Sequence, residues 1–125
     1  LFGSWGSLET IPPQLRDRKM SWHNPLAITL EMKTEEMLFV AQVMAQKLNK
    51  ALGPTVLLIP TKGFSEYDKP GGRFYHPDGR KAFIETLKRH IEPRIKVIQL
   101  DLHINDREFA QEAATIFDNL MKAGI

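Results

Sequence analysis

Cysteine is absent from this chain of 125 residues, which removes disulfides, thiolate nucleophiles and thiolate metal sites together. The absence is compatible with a reducing cytosol, and a cytoplasmic protein is expected. Long apolar runs are missing as well. None approaches the eighteen or so residues of a membrane span, and no signal-peptide pattern precedes the first strand pattern. A strong charge of either sign is also lacking. The formal net charge is +2 and Lys and Arg are scattered, so there is no electrostatic case for nucleic acid. Arg80-Lys81 with Lys88-Arg89 comes nearest to a basic patch and reads as a solvated helix face. The four histidines have no H-x-x-x-H spacing, which with the missing cysteines argues against zinc.

The patterns that are present describe one α/β domain. Leu26, Ile28, Leu30 and Met32 alternate with Ala27, Thr29 and Glu31 as in a strand with one wetter face. Thr34 stands as an N-cap before Glu35 and Glu36. Met37, Val40, Ala41, Met44, Ala45 and Leu48 then form one helical stripe, closed by Gly53-Pro54. Thr55–Ile59 and Ile95–Leu100 read as two more strands. Ala82, Phe83, Leu87 and Ile91 mark a second helix, and Phe109, Ala113, Ile116, Phe117 and Leu120 a third, capped by Asn105 or Asp106. Strand and helix alternating three times predict a Rossmann-like, three-layer α/β domain over residues 25–125 with a mainly parallel sheet. Residues 1–24 have no sustained period and read as an irregular leader or interdomain crossover. Trp5 and Trp22 within it are expected to bury against a neighbour.

Between the second strand and the second helix lies the stretch Pro60–Asp78, PTKGFSEYDKPGGRFYHPD. Strand-to-helix loops usually run to about two to six residues, and loops this long are functional or disordered. Phe64, Tyr67, Phe74 and Tyr75 give it groups that pack, and Gly63, Gly71 and Gly72 allow positive φ or close approach to the backbone. The loop follows the carboxyl end of a strand, where open α/β sheets bind ligands. Its glycines fit neither the Walker spacing nor the dinucleotide fingerprint. Gly63 and Ser65 with Gly71 and Gly72 can still bind an anion through backbone N–H groups and a hydroxyl, or simply turn a self-packed loop. Asp68 before Lys69-Pro70 reads as an Asx-turn, or as an acceptor for a sugar hydroxyl or magnesium. His76-Pro77-Asp78 reads as a helix entry with Asp78 as a cap. His103 with Asn105 and Asp106 follows the third strand, with roles in capping, ligand recognition or proton transfer. Ser65 is a poor hydrolase nucleophile, because G-F-S-E-Y lacks the second glycine of the nucleophile elbow.

The spacing P-x-x-G-x-S-x-x-D-x-P-G-G-x-F-x-x-P from Pro60 to Pro77 occurs with His103-Ile104-Asn105-Asp106 downstream and His23-Asn24 upstream. Together they resemble the C-terminal domain of an uncharacterised family typified by the tomato mosaic virus resistance protein, whose relatives are described as ATP-binding-domain proteins. The resemblance covers roughly residues 19–120. It implies the second of two linked Rossmann-like domains, and hence a fragment of a longer protein that meets a missing N-terminal domain or another subunit. His23 then reads as a domain-interface residue, and a homo-oligomer is expected. His76 stands where the family more often has an acidic residue.

The leading functional expectation is a binding domain for a nucleotide, ATP with magnesium in the first instance, or for another phosphorylated small molecule. The crevice would be formed by Gly63–Phe74 and His103–Asp106. Ser65 and the backbone of Gly63, Gly71 and Gly72 would meet the anion, Phe74 would line the loop, and Asp68 would take a hydroxyl or a metal. Asn105 would orient the base or sugar. Two alternatives stand beside it: an inhibitor-like protein-docking module, and a metal-assisted phosphoryl hydrolase using Asp68 or Asp106 with His103. Binding without turnover is the preferred reading.

Overall fold

Two separate sheets organise the chain, described over residues 1–123 in a computed structural model. Strands β1 (Phe2–Trp5), β2 (Met20–Asn24) and β3 (Ala27–Glu31) form an antiparallel sheet in the order β1-β3-β2. Strands β4 (Val56–Pro60) and β5 (Lys96–Leu100) pair in parallel, from Val56 opposite Lys96 to Pro60 opposite Leu100. Helices α1 (Thr34–Leu48), α2 (Pro77–His90) and α3 (Arg107–Lys122) follow β3, β4 and β5 in turn.

The parallel pair connected through α2 agrees with the sequence expectation. Placing the first predicted strand in the same sheet does not. β3 runs antiparallel to both β1 and β2, with Ser4 and Ser21 each opposite Thr29. Alternation tells which face of a strand is buried and says nothing about its partner. The partners come from the stretch expected to be an irregular leader. β1 and β2 span only 4 and 5 residues, and an irregularity interrupts β2 between Trp22 and Asn24. With Gly3 inside β1 and this break in β2, neither strand displays a sustained alternation.

Each sheet has its own core. Ile28 and Leu30 point from β3 onto Ile11, and all three are completely buried, with Trp5, Leu15 and Met20 around them. The other core joins Met37, Ala41 and Ala45 of α1 to Phe83, Ile84 and Leu87 of α2 and Ile59 of β4. The α1 stripe is therefore core at Met37, Ala41 and Ala45, while Met44 on the same stripe is exposed. Thr34 opens α1 but is not its cap. Lys33 holds the cap position, the Glu36 carboxylate accepts the Lys33 N–H at 2.9 Å, and the Thr34 hydroxyl bonds His76 Nε2 at 2.9 Å. α1 ends at Leu48, ahead of Gly53-Pro54, where Asn49 bonds the His90 carbonyl and the Glu92 N–H and so ties the carboxyl ends of α1 and α2 together. Among the described residues no helix is long and apolar enough to cross a membrane.

Arg18, in the segment before β2, joins the two halves. Its guanidinium grips Glu36 of α1 with two bonds of 2.7 and 3.0 Å, the forked geometry that makes Arg–carboxylate pairs directional. The hydrogen bond from Arg18 holds the Glu36 carboxyl below its ordinary 4.5, against a smaller opposing effect of burial. A carboxylate depressed in the fold stabilises at pH above its unfolded value and loses that contribution as pH falls through the folded one. We therefore predict that Glu36→Gln lowers stability by about 1 kcal/mol at neutral pH. The difference between variant and parent should shrink as pH falls below the ordinary 4.5 and disappear once pH lies below the lowered folded value, as read by urea unfolding at several pH values.

Candidate functional site

The long loop is built around a buried ion pair. Asp68 is 2% exposed and Arg80 8%, and Arg80 Nη1 meets Asp68 Oδ1 at 2.5 Å. The second Asp68 oxygen accepts the Phe64 N–H at 3.1 Å, and Arg80 Nε donates to the Thr61 carbonyl at 2.9 Å. Arg80 also lies over the Tyr75 ring, 5.7 Å from its centre. One helix residue thus fixes the loop at Thr61, Asp68 and Tyr75. This corrects the reading of Arg80 as part of a solvated face. The signal was present in the sequence, because Arg80 falls on the stripe of Phe83, Ile84 and Leu87 at helical spacing.

Aromatic packing closes the far side of the loop. Phe74 is buried, with its ring 5.1 Å from Tyr67 and 6.1 Å from Phe2 of β1, while Phe2 meets Tyr67 edge-on at 5.5 Å. Phe64 packs on Phe83 of α2 at 5.4 Å. Arg73 donates to the Met20 carbonyl at 2.7 Å, so β2 is tied to the loop as well as β1. Phe74 is therefore a packing residue beneath the loop.

The third cluster lies where β4 and β5 end. Gly63 bridges His103 in parallel register, and its carbonyl accepts the Ile104 N–H at 3.0 Å. Gly63 has φ +155°, and a Cβ there would run into the Asp68 carbonyl and the His103 ring. Only glycine fits that approach. His103 Nε2 lies 3.0 Å from the Ser65 carbonyl, and Nδ1 accepts the Asn105 N–H at 3.1 Å. That pattern places the proton on Nε2 and commits both ring nitrogens to holding loops together. Asp106 occupies the N-cap position of α3, yet its carboxylate turns back to the His103 N–H at 2.7 Å. Asn105 bonds Glu66 at 3.1 Å, and the Lys69 ammonium also holds Glu66, whose carboxyl is drawn below its ordinary value chiefly by that bond.

The structure thus brings Gly63, Ser65, His103, Asn105 and Asp106 together. Gly72 donates to the Lys69 carbonyl at 2.7 Å within the loop's own turn, and Gly71 is exposed at φ +79° with open space around it. Asp68 has both oxygens occupied by Arg80 and Phe64, so meeting a sugar hydroxyl or magnesium would first require breaking the ion pair. Ser65 Oγ is enclosed and has no hydrogen-bond partner. His76 caps the start of α2, with Pro77 as its first residue, so Asp78 lies inside the helix. His23 and Asn24 sit in β2, in the other sheet, and Trp22 beside them is 54% exposed. Trp5 packs within the chain's own smaller core.

Beside this loop a cleft of about 360 Å³ opens between α2 and the carboxyl ends of the parallel strands. Thr61, Gln99, Pro77, Lys81, Glu85 and Lys88 line it, with Arg80 and Ile84 at its floor. Lys81 and Lys88 are exposed and form no ion pair among the described residues, whereas Lys62 is engaged with Asp101 at 3.2 Å. Lys81 and Lys88, read from the sequence as surface charge, therefore frame a cleft just beyond the end of β4.

Residues 2–121 match a family described as the C-terminal domain of an uncharacterised protein family, UPF0261. A UPF0261 protein of Brucella melitensis is 33% identical over 117 residues, 94% of this chain and 28% of the Brucella protein. One from Clostridium tetani is 32% identical over 120 residues, 95% of this chain and 30% of its own length. The tomato (Solanum lycopersicum) ToMV resistance protein Tm-1 is 34% identical over 116 residues, 91% of this chain and 15% of the tomato protein. Its ToMV-susceptible counterpart matches with the same identity over the same length, so the likeness does not separate resistance from susceptibility. The chain thus spans under a third of the length of these relatives.

The ion pair makes a sharp stability prediction. Asp68→Ala leaves the Arg80 guanidinium buried without a counter-charge and should cost about 3–5 kcal/mol in urea unfolding. Replacing both partners, Asp68→Leu with Arg80→Met, should recover part of that loss. The recovery is incomplete because the Phe64 N–H and the Thr61 carbonyl lose their partners.

Proposed function

The chain belongs to the UPF0261 C-terminal domain family, and from that premise we propose that it is the phosphate-binding part of a longer protein, taking a nucleotide such as ATP or another phosphorylated small molecule. The observation that carries this reading is the cleft of about 360 Å³ at the carboxyl end of β4, framed by Lys81, Lys88 and the first turn of α2. Open α/β units bind ligands outside the carboxyl ends of their strands. The first turn of α2 brings Pro77, which has no N–H, and Arg80, whose N–H is bonded to the His76 carbonyl, so the attraction for an anion rests on the two exposed ammonium groups. This assigns the anion to Lys81 and Lys88, with the exposed Gly71 and Asn105 of the neighbouring loops as the groups that would meet the remainder of the ligand.

The volume is near the lower end for small-molecule sites, enough for a phosphate and part of a sugar. A three-layer Rossmann-like sheet would be completed by parts of the longer protein lying beside β4 and β5, and these would cover the rest of the ligand. Binding without turnover is the better-supported form of the proposal. Both His103 nitrogens and both Asp68 oxygens are spent on structure, so no free acid–base pair faces the cleft from the loop.

Calorimetry with ATP and with inorganic phosphate, on this chain and on a full-length family member, tests the proposal. Weak binding to this chain that tightens in the longer protein is expected, with affinity falling as salt rises. Lys81→Ala with Lys88→Ala should weaken it at least about tenfold without lowering the unfolding midpoint, since both side chains are exposed. Equal binding by parent and double variant, or no binding by the full-length protein, would overturn the assignment.

A further inference from the structure

Helix α3 carries two apolar stripes, displaced from one another by a single residue. Phe109, Ala113, Ile116 and Leu120 are half-buried, and Ile116 and Leu120 share a cleft with Val56 of β4 and Ile98 of β5. Ala110, Ala114, Phe117 and Met121 repeat the same four-three-four spacing and are all exposed, Phe117 at 64% and Met121 at 54%. The chain's own fold occupies only the first stripe. A four-three-four repeat is the seam spacing of two packed helices.

We propose that the second stripe is the contact between two copies of this chain, paired through their α3 helices running antiparallel about a two-fold axis. In such a contact residue i meets residue j and j meets i. With the axis between Ala114 and Phe117, Ala110 opposes the second copy's Met121 and Ala114 opposes the second copy's Phe117. Every large side chain then meets an alanine, so the seam closes without a collision between bulky groups or a void between small ones. A parallel pairing would set large against large and small against small. The flank is compatible too. Gln111 and Asp118 border the stripe on its open side, and the antiparallel register places amide opposite carboxylate. Asp118 is already partnered by Lys122 of its own helix, which limits repulsion across the axis. The seam is one helix long, so association is weak and depends on concentration.

Sedimentation velocity from low micromolar to near-millimolar concentration reads the proposal directly. The parent chain is expected to pass from monomer to dimer. Phe117→Glu should weaken the dimer on the order of thirtyfold, and Ala114→Phe should weaken it comparably by setting two phenyl rings against each other. The double variant Ala114→Phe with Phe117→Ala exchanges large and small across the axis and should restore association. All three changes lie on exposed positions, and far-ultraviolet circular dichroism checks that α3 persists. A chain that stays monomeric throughout overturns the proposal, as does a dimer indifferent to Phe117→Glu. A size-exchanged variant as weak as the single ones would show that the stripe is covered by something other than a second copy.

Discussion

The ion pair between Asp68 and Arg80 is the constraint on which the arrangement of this domain depends. The loop between β4 and α2, residues 61–76, has a large conformational freedom to lose, and few of its residues belong to regular structure. Arg80 offsets that loss by binding three separated points of the loop from one rigid helix position. Because the pair is buried, solvent does not compete for it. Its two remaining hydrogen bonds go to main-chain groups that would otherwise be orphaned. The loop is thereby converted from a tether into a packed layer.

Everything around the loop uses that layer as a platform. Phe2 and Met20 bring the antiparallel sheet onto it through the aromatic cluster and the Arg73 bond. Gly63 and His103 bring the end of β5 onto it from the other side. The two small sheets share no strand, and each buries only a modest core, so their association relies on these loop contacts and on Arg18 gripping Glu36. The proposed ligand cleft lies against the same helix turn that carries Arg80. A site built there inherits its rigidity from α2 and the ion pair, while the exposed ammonium groups of Lys81 and Lys88 stand on its rim.

Much of the helical structure was legible because burial leaves a periodic mark. The α1 stripe from Met37 to Ala45 and the amphipathic α3 carry that mark, and the parallel relation of β4 to β5 follows from the helix that connects them. The antiparallel sheet left almost none. β1 contains Gly3 and β2 is interrupted at His23, so neither shows alternation, and β3 announced its buried face without announcing its partners. The loop was recognisable as unusual from its length and its aromatic residues, and these do pack. What the residues could not reveal was how their polar groups are spent. Asp68 and His103 are chemically suited to ligands, and only geometry shows that Arg80, Phe64, Ser65 and Asn105 have claimed their atoms. Arg80 shows the reverse case: a charged residue on an apolar stripe is itself a sign of a buried partner.

The account's central claim is that the loop is fixed architecture before any ligand arrives. Amide hydrogen exchange at Phe64 and Phe74 measures this directly, since the first N–H is bonded to Asp68 and the second to the Tyr67 carbonyl. Protection in the ligand-free chain comparable to that of Leu87 in the core of α2 is the predicted result. Exchange of both amides near the unprotected rate, with protection appearing only on adding ATP or phosphate, would contradict it.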